Sequence, residues 1–530
     1  MSKTWDAVIV GGGHNGLVCG AYLARAGKSV CVLERRHLIG GAAVTEELWP
    51  GFKVSTASYT MALLQPRVIL ELELAKHGFE VLKPTPTFQP LEGGGHLTFY
   101  DDLARTCAGI AVFSRKDAEA YPRYRDYMWT LAKVVRRLIW EIPPDPASRA
   151  AGDVLGMLRF AWRYRDIGEQ FYDVYDVMTL SAYDLLSRWF ESEELKAALG
   201  FYAAGGGANG GMKTPGSAYV LMRGFIREHD TAAGGAGFVR GGMGMISNSI
   251  AASGRAHGME IRTDAEVASI RIDNGRATGV VLKSGETVSG RTVIANASAQ
   301  TTFRNLVAPG ELPDDFVAEV HRIRDASTSF KVHLGLSRLP VFRHFDAAVQ
   351  GFAYPSVFKV GPSVDYIEQA YDDSKYGRFS RRPVMTVMTP SFVDSTLAPP
   401  GMHVISIFAQ HAPYALRGRS WDDARDDLYQ TVLETLDEYS PDLRDCIVHH
   451  QVMTPLDYER VFALPHGHIH HAELSADQVF FRRPVRRYGG YNTPVAGLYQ
   501  CGASTHPGGG VTGVPGHNAA QVVLKALGRR

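Results

Sequence analysis

A strand–glycine–helix–strand unit within the first 34 residues constrains this chain more than any other feature. Trp5–Val10 (WDAVIV) is a short apolar run of the kind that fills a buried parallel strand. GGGHNG follows, with glycine at 11, 13 and 16. An alanine-rich helical pattern then runs through Leu17, Ala21, Leu23 and Ala24 and stops at Gly27. A second apolar run, Ser29–Leu33, ends on Glu34. A GxGxxG alone is a weak signal, because glycine-rich surface loops match it often. Here the strand precedes it, the helix follows it, and an acidic residue closes the second strand about 20 residues on.

Each position has a physical reason. Gly11 permits the tight turn, Gly13 lets a pyrophosphate reach the backbone, and Gly16 lets helix and strand pack closely. The helix start, with His14 and Asn15, offers free N–H groups and partial positive charge to phosphates. Glu34 is placed to accept hydrogen bonds from ribose hydroxyls. The next segment, ERRHLIGGAA (Glu34–Ala43), adds a second glycine pair, Gly40 and Gly41. That pair, followed by Ala42, resembles the pattern of the large FAD-binding flavoprotein superfamily, and the resemblance implies FAD rather than NAD. Arg35 and Arg36 leave the 2′-phosphate of NADP as the weaker alternative, and Arg35 is counted among the cofactor residues.

Later segments continue the same domain. Phe238–Gly244 (FVRGGMG) opens an apolar helical pattern, whereas the glycine clusters beginning at Gly207 and Gly234 follow no clean strand. From Met259 to Ser298 the polarity alternates, with turn signals at Asn274–Gly275 and Ser284–Gly285. This reads as a three-stranded antiparallel insert followed by a return strand. The chain ends on Gly497–Gly502, a strand, then a glycine-rich loop and a helix from His517. Six glycines stand between Cys501 and Gly516. A flat flavin can be approached so closely only by bare backbone, and a helix start favours the charge of the reduced ring. Gly502, Ala503, Gly513, Val514 and Gly516 are therefore expected at the flavin.

Bulk properties exclude other classes. The 56 basic and 55 acidic residues give a formal charge of +1, so no field attracts nucleic acid. The five cysteines include no CxxC, which argues for a reducing compartment and against a dithiol redox centre. No run approaches a membrane span, and Met1–Thr4 leaves no room for a signal peptide. A cytoplasmic monomer or homodimer is expected.

The motifs ERRHLIGGAAVTEE (from Glu34), PGFKVSTASY (from Pro50), RGGMG (from Arg240), APPG (from Ala398) and GASTHPGGGVTGVPG (from Gly502) resemble the phytoene desaturase-related FAD oxidoreductases. More narrowly they resemble the group of pyridine nucleotide-disulfide oxidoreductase domain-containing proteins, with carotenoid ketolases of the desaturase type as relatives. The resemblance covers essentially the whole chain. It implies an α/β fold, with a Rossmann-like FAD-binding domain and an interwoven α+β substrate-binding domain with a helical lid. The FAD domain is expected from 1–51, 237–299 and 488–530, and the substrate domain from 52–236 and 300–487. The resemblance also implies non-covalent FAD, adenine contacted by the backbone of Val267, and hydride transfer to flavin N5 from an apolar, isoprenoid- or polyene-like substrate. A ketolase, an amine oxidase and a flavoprotein serving as an interaction partner are the alternatives. Because the group's name promises a disulfide centre that this sequence lacks, disulfide reductase activity is rejected.

Between the flavin segments, Tyr127–Ile142 places Met128, Leu131, Val135, Leu138 and Ile142 on one helical face, with Lys133, Arg136 and Arg137 on another. It reads as a lid packed on its own domain, with contact to a membrane surface as the second reading. A further helix is expected from Tyr183 to Ala203. Histidines at 466, 468, 470 and 471 could hold a metal, three of them on one face of a strand, but no carboxylate or cysteine completes the set. No metal is assigned. Of the four, only His471 matches a histidine of the family. Cys501 reads as a small buried residue rather than a covalent flavin link. No nucleophile–base pattern stands out, which suits chemistry carried by a flavin. His471 and His506 are the catalytic candidates, for proton handling or flavin positioning.

Overall fold

The computed structural model describes residues 3–205, 210–226 and 236–528. Two seven-stranded sheets organise the chain. In the first, the strands Thr4–Val10 and Val30–Leu33 run parallel, as a glycine turn and one helix require. Glu260–Arg262 extends that edge in parallel, beside Val30–Leu33. On the other side of Thr4–Val10 lies Thr287–Ala295, again parallel. Polarity alternation predicts a separate insert and return strand. The structure instead uses Thr287–Ala295 for both. Its first half closes the antiparallel meander Val267–Asp273/Arg276–Leu282, and its second half joins the parallel sheet.

Asn274 and Gly275 both have positive φ, 51° and 73°, the geometry that a two-residue hairpin turn demands. The terminal strand Leu498–Gln500 pairs in parallel with Val293–Ala295. Helix His14–Arg25 packs between Gly244–Arg255 and the terminal helix Val514–Gly528. Close approach there rests on glycine, since a Cβ at Gly516 would lie 2.2 Å from the Asn15 carbonyl oxygen.

The second sheet has the order Ile447–Met453, Phe330–Leu336, His403–Ala409, Met385–Met388, Val357–Val360, Thr87–Pro90, His96–Phe99. A helical layer covers it, including Arg115–Leu138, whose Met128, Leu131 and Val135 are buried. Those three side chains are packed within the protein, whereas the helix ends at Leu138 and Ile142 beyond it is exposed. The single helix expected from Tyr183 is two, Ala182–Ser187 and Glu193–Gly205. The break has a cause: the buried Asp117 carboxylate accepts the N–H groups of Glu191 and Ser192, both at 2.9 Å. Of the glycine clusters noted in the sequence, 207–209 and 234–235 lie outside the described residues.

Candidate cofactor and active site

A cavity of about 840 Å3 opens between the two sheets. Gly11, Gly13, His14, Asn15, Glu34, Arg35, Gly41, Ala42 and Val267 line it from the Rossmann side. The turn after the first strand is built for close approach. A Cβ at Gly13 would sit 2.7 Å from Asn296 Nδ2, and one at Gly16 2.4 Å from the Gly11 carbonyl. Gly16 therefore lies behind the wall and packs helix on turn, as its place in the motif predicts.

Glu34 is oriented by backbone. Its Oε2 accepts from Gly12 N–H at 2.8 Å and its Oε1 from Arg36 N–H at 2.9 Å. The GxGxxG pattern leaves Gly12 free to be any residue, yet a Cβ there would lie 3.0 Å from Glu34 Cβ. Gly40 donates to the Gly12 carbonyl at 2.8 Å and packs on Ser247, leaving Gly41 to face the cavity. Each arginine has one nitrogen held by a neighbour: Arg36 Nη2 pairs with Glu46 at 2.5 Å, and Arg35 donates to the Val461 carbonyl.

The far wall comes from the second sheet and the C-terminal loop. Ala503, Gly510 and Val511 line it, together with His470, His471 and Leu63. Gly502, Gly513, Val514 and Gly516, expected at the flavin, are not among the lining residues, and their smallness serves packing. A Cβ at Gly502 would lie 2.4 Å from the Asn296 carbonyl, and Gly513, at φ 75°, would press on Val68 at 3.1 Å. Val514 is wholly buried in the hydrophobic core. The reason is geometric: the loop turns Gly510 and Val511, not the helix start, toward the cavity. Cys501 is likewise buried in the core rather than on the cavity wall.

The histidines divide. His471 lines the cavity, with Nδ1 3.3 Å from Ser504 Oγ. Burial, with the Arg483 charge nearby, pushes it down to about 3, so it is neutral near pH 7. His14 is pushed down to about 4 by burial. His506 does not line the cavity; its Nε2 donates to the Leu138 carbonyl at 2.9 Å and ties the loop to the lid helix. As a catalytic candidate it is corrected to a structural one. Residues 466–471 form no strand, with positive φ at His466, Gly467 and His471, so the shared face expected for three histidines does not exist. Among the described residues no group of three or more metal-ligating side chains comes together. His466 instead pairs through Nδ1 with Asp325 at 2.7 Å, and Gln300 donates to the other Asp325 oxygen at 2.8 Å.

Three residues of the site belong to no motif that the sequence displays. Lys331 is wholly buried, donates to the Ser55 carbonyl at 2.6 Å, and stands 5.6 Å from the ring centre of Tyr59 on the cavity wall. Burial holds it well below the usual lysine range. A signal existed: lysine at 331 and histidine at 333 share one face of an otherwise apolar strand. Arg223 and Arg483 lie behind the C-terminal wall, and nothing in their local sequence marks them.

FAD fits this cavity. Buried polar atoms of four wall residues have no partner among the described residues: His14 Nε2, Asn15 Oδ1, Arg36 Nη1 and Gln300 Oε1. A buried polar group left unpaired is costly, so these atoms call for a polar ligand. Gly11–Asn15 would hold the pyrophosphate, and Glu34 and Val267 the adenosine. Ala503, Gly510 and His471 would then be left to hold the flavin.

A family model described as flavin containing amine oxidoreductase matches residues 16–524. The chain belongs to that family. It is an FAD-dependent oxidoreductase, and its relatives agree. It is 40% identical to pyridine nucleotide-disulfide oxidoreductase domain-containing protein 2 of Rattus norvegicus, over 99% of this chain and 94% of that one. A limonene dehydrogenase polypeptide of Castellaniella defragrans is 30% identical over 99% and 95%. Phytoene desaturase (lycopene-forming) of Pantoea ananas is 26% identical over 97% and 98%. Among solved structures, a triple mutant of putrescine oxidase shares the fold at a TM-score of 0.62 and 15% identity, covering 99% of each chain. An oxidoreductase from Methanosarcina mazei does so at 0.59 and 17%, covering 98% and 99%.

Proposed function

We propose that the protein dehydrogenates an apolar, isoprenoid- or polyene-like molecule. The observation that carries this is the character of the cavity beyond the dinucleotide: Ala57, Leu63, Phe408, Leu464, Ile469 and Val511 offer hydrocarbon to a substrate. The names of two relatives, a limonene dehydrogenase and a phytoene desaturase, point the same way. Bound FAD supplies the hydride acceptor, at N5. The chain's own part is to hold a C–H bond against that wall, exclude water with apolar side chains, and keep His471 neutral beside it.

The amine oxidase reading fares worse on electrostatics, because the far wall is backed by buried guanidinium groups that repel a cationic amine. The test is anaerobic mixing of the holoprotein with a monoterpene, a C40 polyene and, separately, putrescine. Bleaching of the flavin by a hydrocarbon supports the proposal, and bleaching by putrescine alone replaces it with amine oxidation.

Contact with a lipid surface would suit such a substrate. Its place is not the lid helix, which is packed, but the helices Ala151–Arg163 and Gln170–Thr179. There Leu158, Trp162, Phe171 and Tyr172 are each more than 60% exposed, and exposed Arg149, Arg159 and Arg165 suit anionic headgroups. Binding to vesicles containing phosphatidylserine, lost in Trp162→Asp, is the expected result. Equal sedimentation of parent and variant would refute this contact. None of the described helices is long and apolar enough to cross a membrane.

A further inference from the structure

Two arginines behind the flavin-side wall have no anionic partner among the described residues. Arg483 is 1% exposed and Arg223 8%, and neither forms an ion pair with a carboxylate there. Arg483 spends its donors on backbone carbonyls: Ala503 at 2.8 and 3.2 Å, His470 at 2.6 Å, Glu473 at 3.0 Å and Gln478 at 3.1 Å. Arg223 donates to the Gly509 carbonyl. Both contacts reach residues on or next to the cavity wall. Ala503 and His470 line the cavity, and a Cβ at the lining residue Gly510 would lie 3.2 Å from Arg223 Nη2.

A buried cation normally has a buried anion beside it, because hydrogen bonds to neutral carbonyls do not cancel its charge. Here two stand together. Their mutual repulsion adds to burial in pulling Arg483 down to about 9, still protonated near pH 7. The surrounding histidines supply no negative charge. Among the described residues, what lies across one layer of backbone from both guanidinium groups is the cavity itself.

We propose that Arg223 and Arg483 are positioning residues forming a cationic backing for the flavin, so that the protein binds reduced, negatively charged FAD more tightly than oxidised FAD. The field acts through the 503 and 509–510 backbone, without touching the ring. Negative charge on a reduced flavin held against this wall would be stabilised by the paired guanidinium charges of Arg223 and Arg483. By linkage, tighter binding of the reduced form appears as a more positive reduction potential for bound FAD than for free FAD.

The experiment equilibrates the holoprotein with a redox dye and reads the two-electron potential, with free FAD as reference. The unmodified protein is expected above free FAD. Arg223→Gln, with flavin still bound, is expected to bind reduced FAD at least tenfold less favourably relative to oxidised FAD, a drop of about 30 mV for a two-electron couple. Arg223→Lys, which keeps the charge, should restore most of the difference, whereas a purely structural role would not distinguish Lys from Gln in this readout. A bound potential at or below that of free FAD overturns the proposal, and this measurement decides even if Arg223→Gln cannot hold flavin. An unchanged potential in flavin-loaded Arg223→Gln overturns it equally.

Discussion

The two ends of the cavity are built on opposite principles. At the adenosine end, one contiguous segment supplies backbone N–H groups, bare glycines and a single carboxylate, Glu34, fixed by Gly12 and Arg36. At the flavin end, the wall is assembled from residues 63, 470–471, 503 and 510–511, backed by buried cations and carrying the neutral His471. The first end recognises what does not change in the reaction. The second must tolerate a change of charge, and its long-range construction lets the field be set without crowding the ring.

The sharpest way to break the comparison is at the turn. Gly16→Val drives a branched side chain into the Gly11 carbonyl and Asn296, and overpacking of this kind costs ~1–3 kcal/mol or more. Purified protein without visible flavin is expected, and a normal yellow preparation would show that the first end tolerates bulk.

Glu34→Ala comes next. Losing two charge-assisted bonds to ribose, each worth about 1.5–3 kcal/mol, should raise the FAD dissociation constant by at least tenfold while the circular dichroism spectrum holds. Equal flavin retention on dialysis would detach Glu34 from the cofactor.

At the other end, Gly513→Leu forces a side chain into positive φ and onto Val68. It should lower stability by ~1–3 kcal/mol, with flavin lost only as the terminal helix loosens. Gly528→Leu, where nothing lies within 4 Å, should leave the melting temperature unchanged. If Gly513→Leu expels flavin at full stability, the loop touches the ring after all.

The most gradual effect is with pH. Burial lowers His468 from 6.5 to about 3 and His506 from 6.5 to about 4. The unfolded chain therefore binds protons that the folded chain refuses. Their contribution is fully present above pH 6.5 and is lost progressively as pH falls toward 4. Each histidine contributes a slope of about 1.4 kcal/mol per pH unit in that window. Thermal melts between pH 7 and 5 should show it, with a shallower slope in His468→Gln; parallel profiles would contradict the buried, neutral assignment.

The same contrast explains what is legible in the sequence. Local constraints leave local signatures: the turn at Gly11–Gly16, Glu34 at its strand end, the Asn274–Gly275 hairpin. Each is legible because neighbours in sequence are neighbours in space. That the later strands rejoin the N-terminal domain is legible as well, apart from the double duty of Thr287–Ala295. The flavin end is harder to read. Glycine content draws attention to Gly513 and Gly516, but which glycines face the cavity depends on how the terminal helix docks on His14–Arg25. His506 misleads because its partner, Leu138, lies 368 residues away. Arg223 stands in an otherwise apolar segment and Arg483 is one of four arginines in residues 482–487, and only folding reveals which of them is buried with no described carboxylate beside it.

The terminal strand Leu498–Gln500 has a consequence for how the protein is made. Synthesis delivers Val293–Ala295 and its first partner, Thr4–Val10, roughly 200 residues before Leu498–Gln500. Until that later strand emerges the apolar edge of Val293–Ala295 stays open, a surface that invites pairing with other nascent chains.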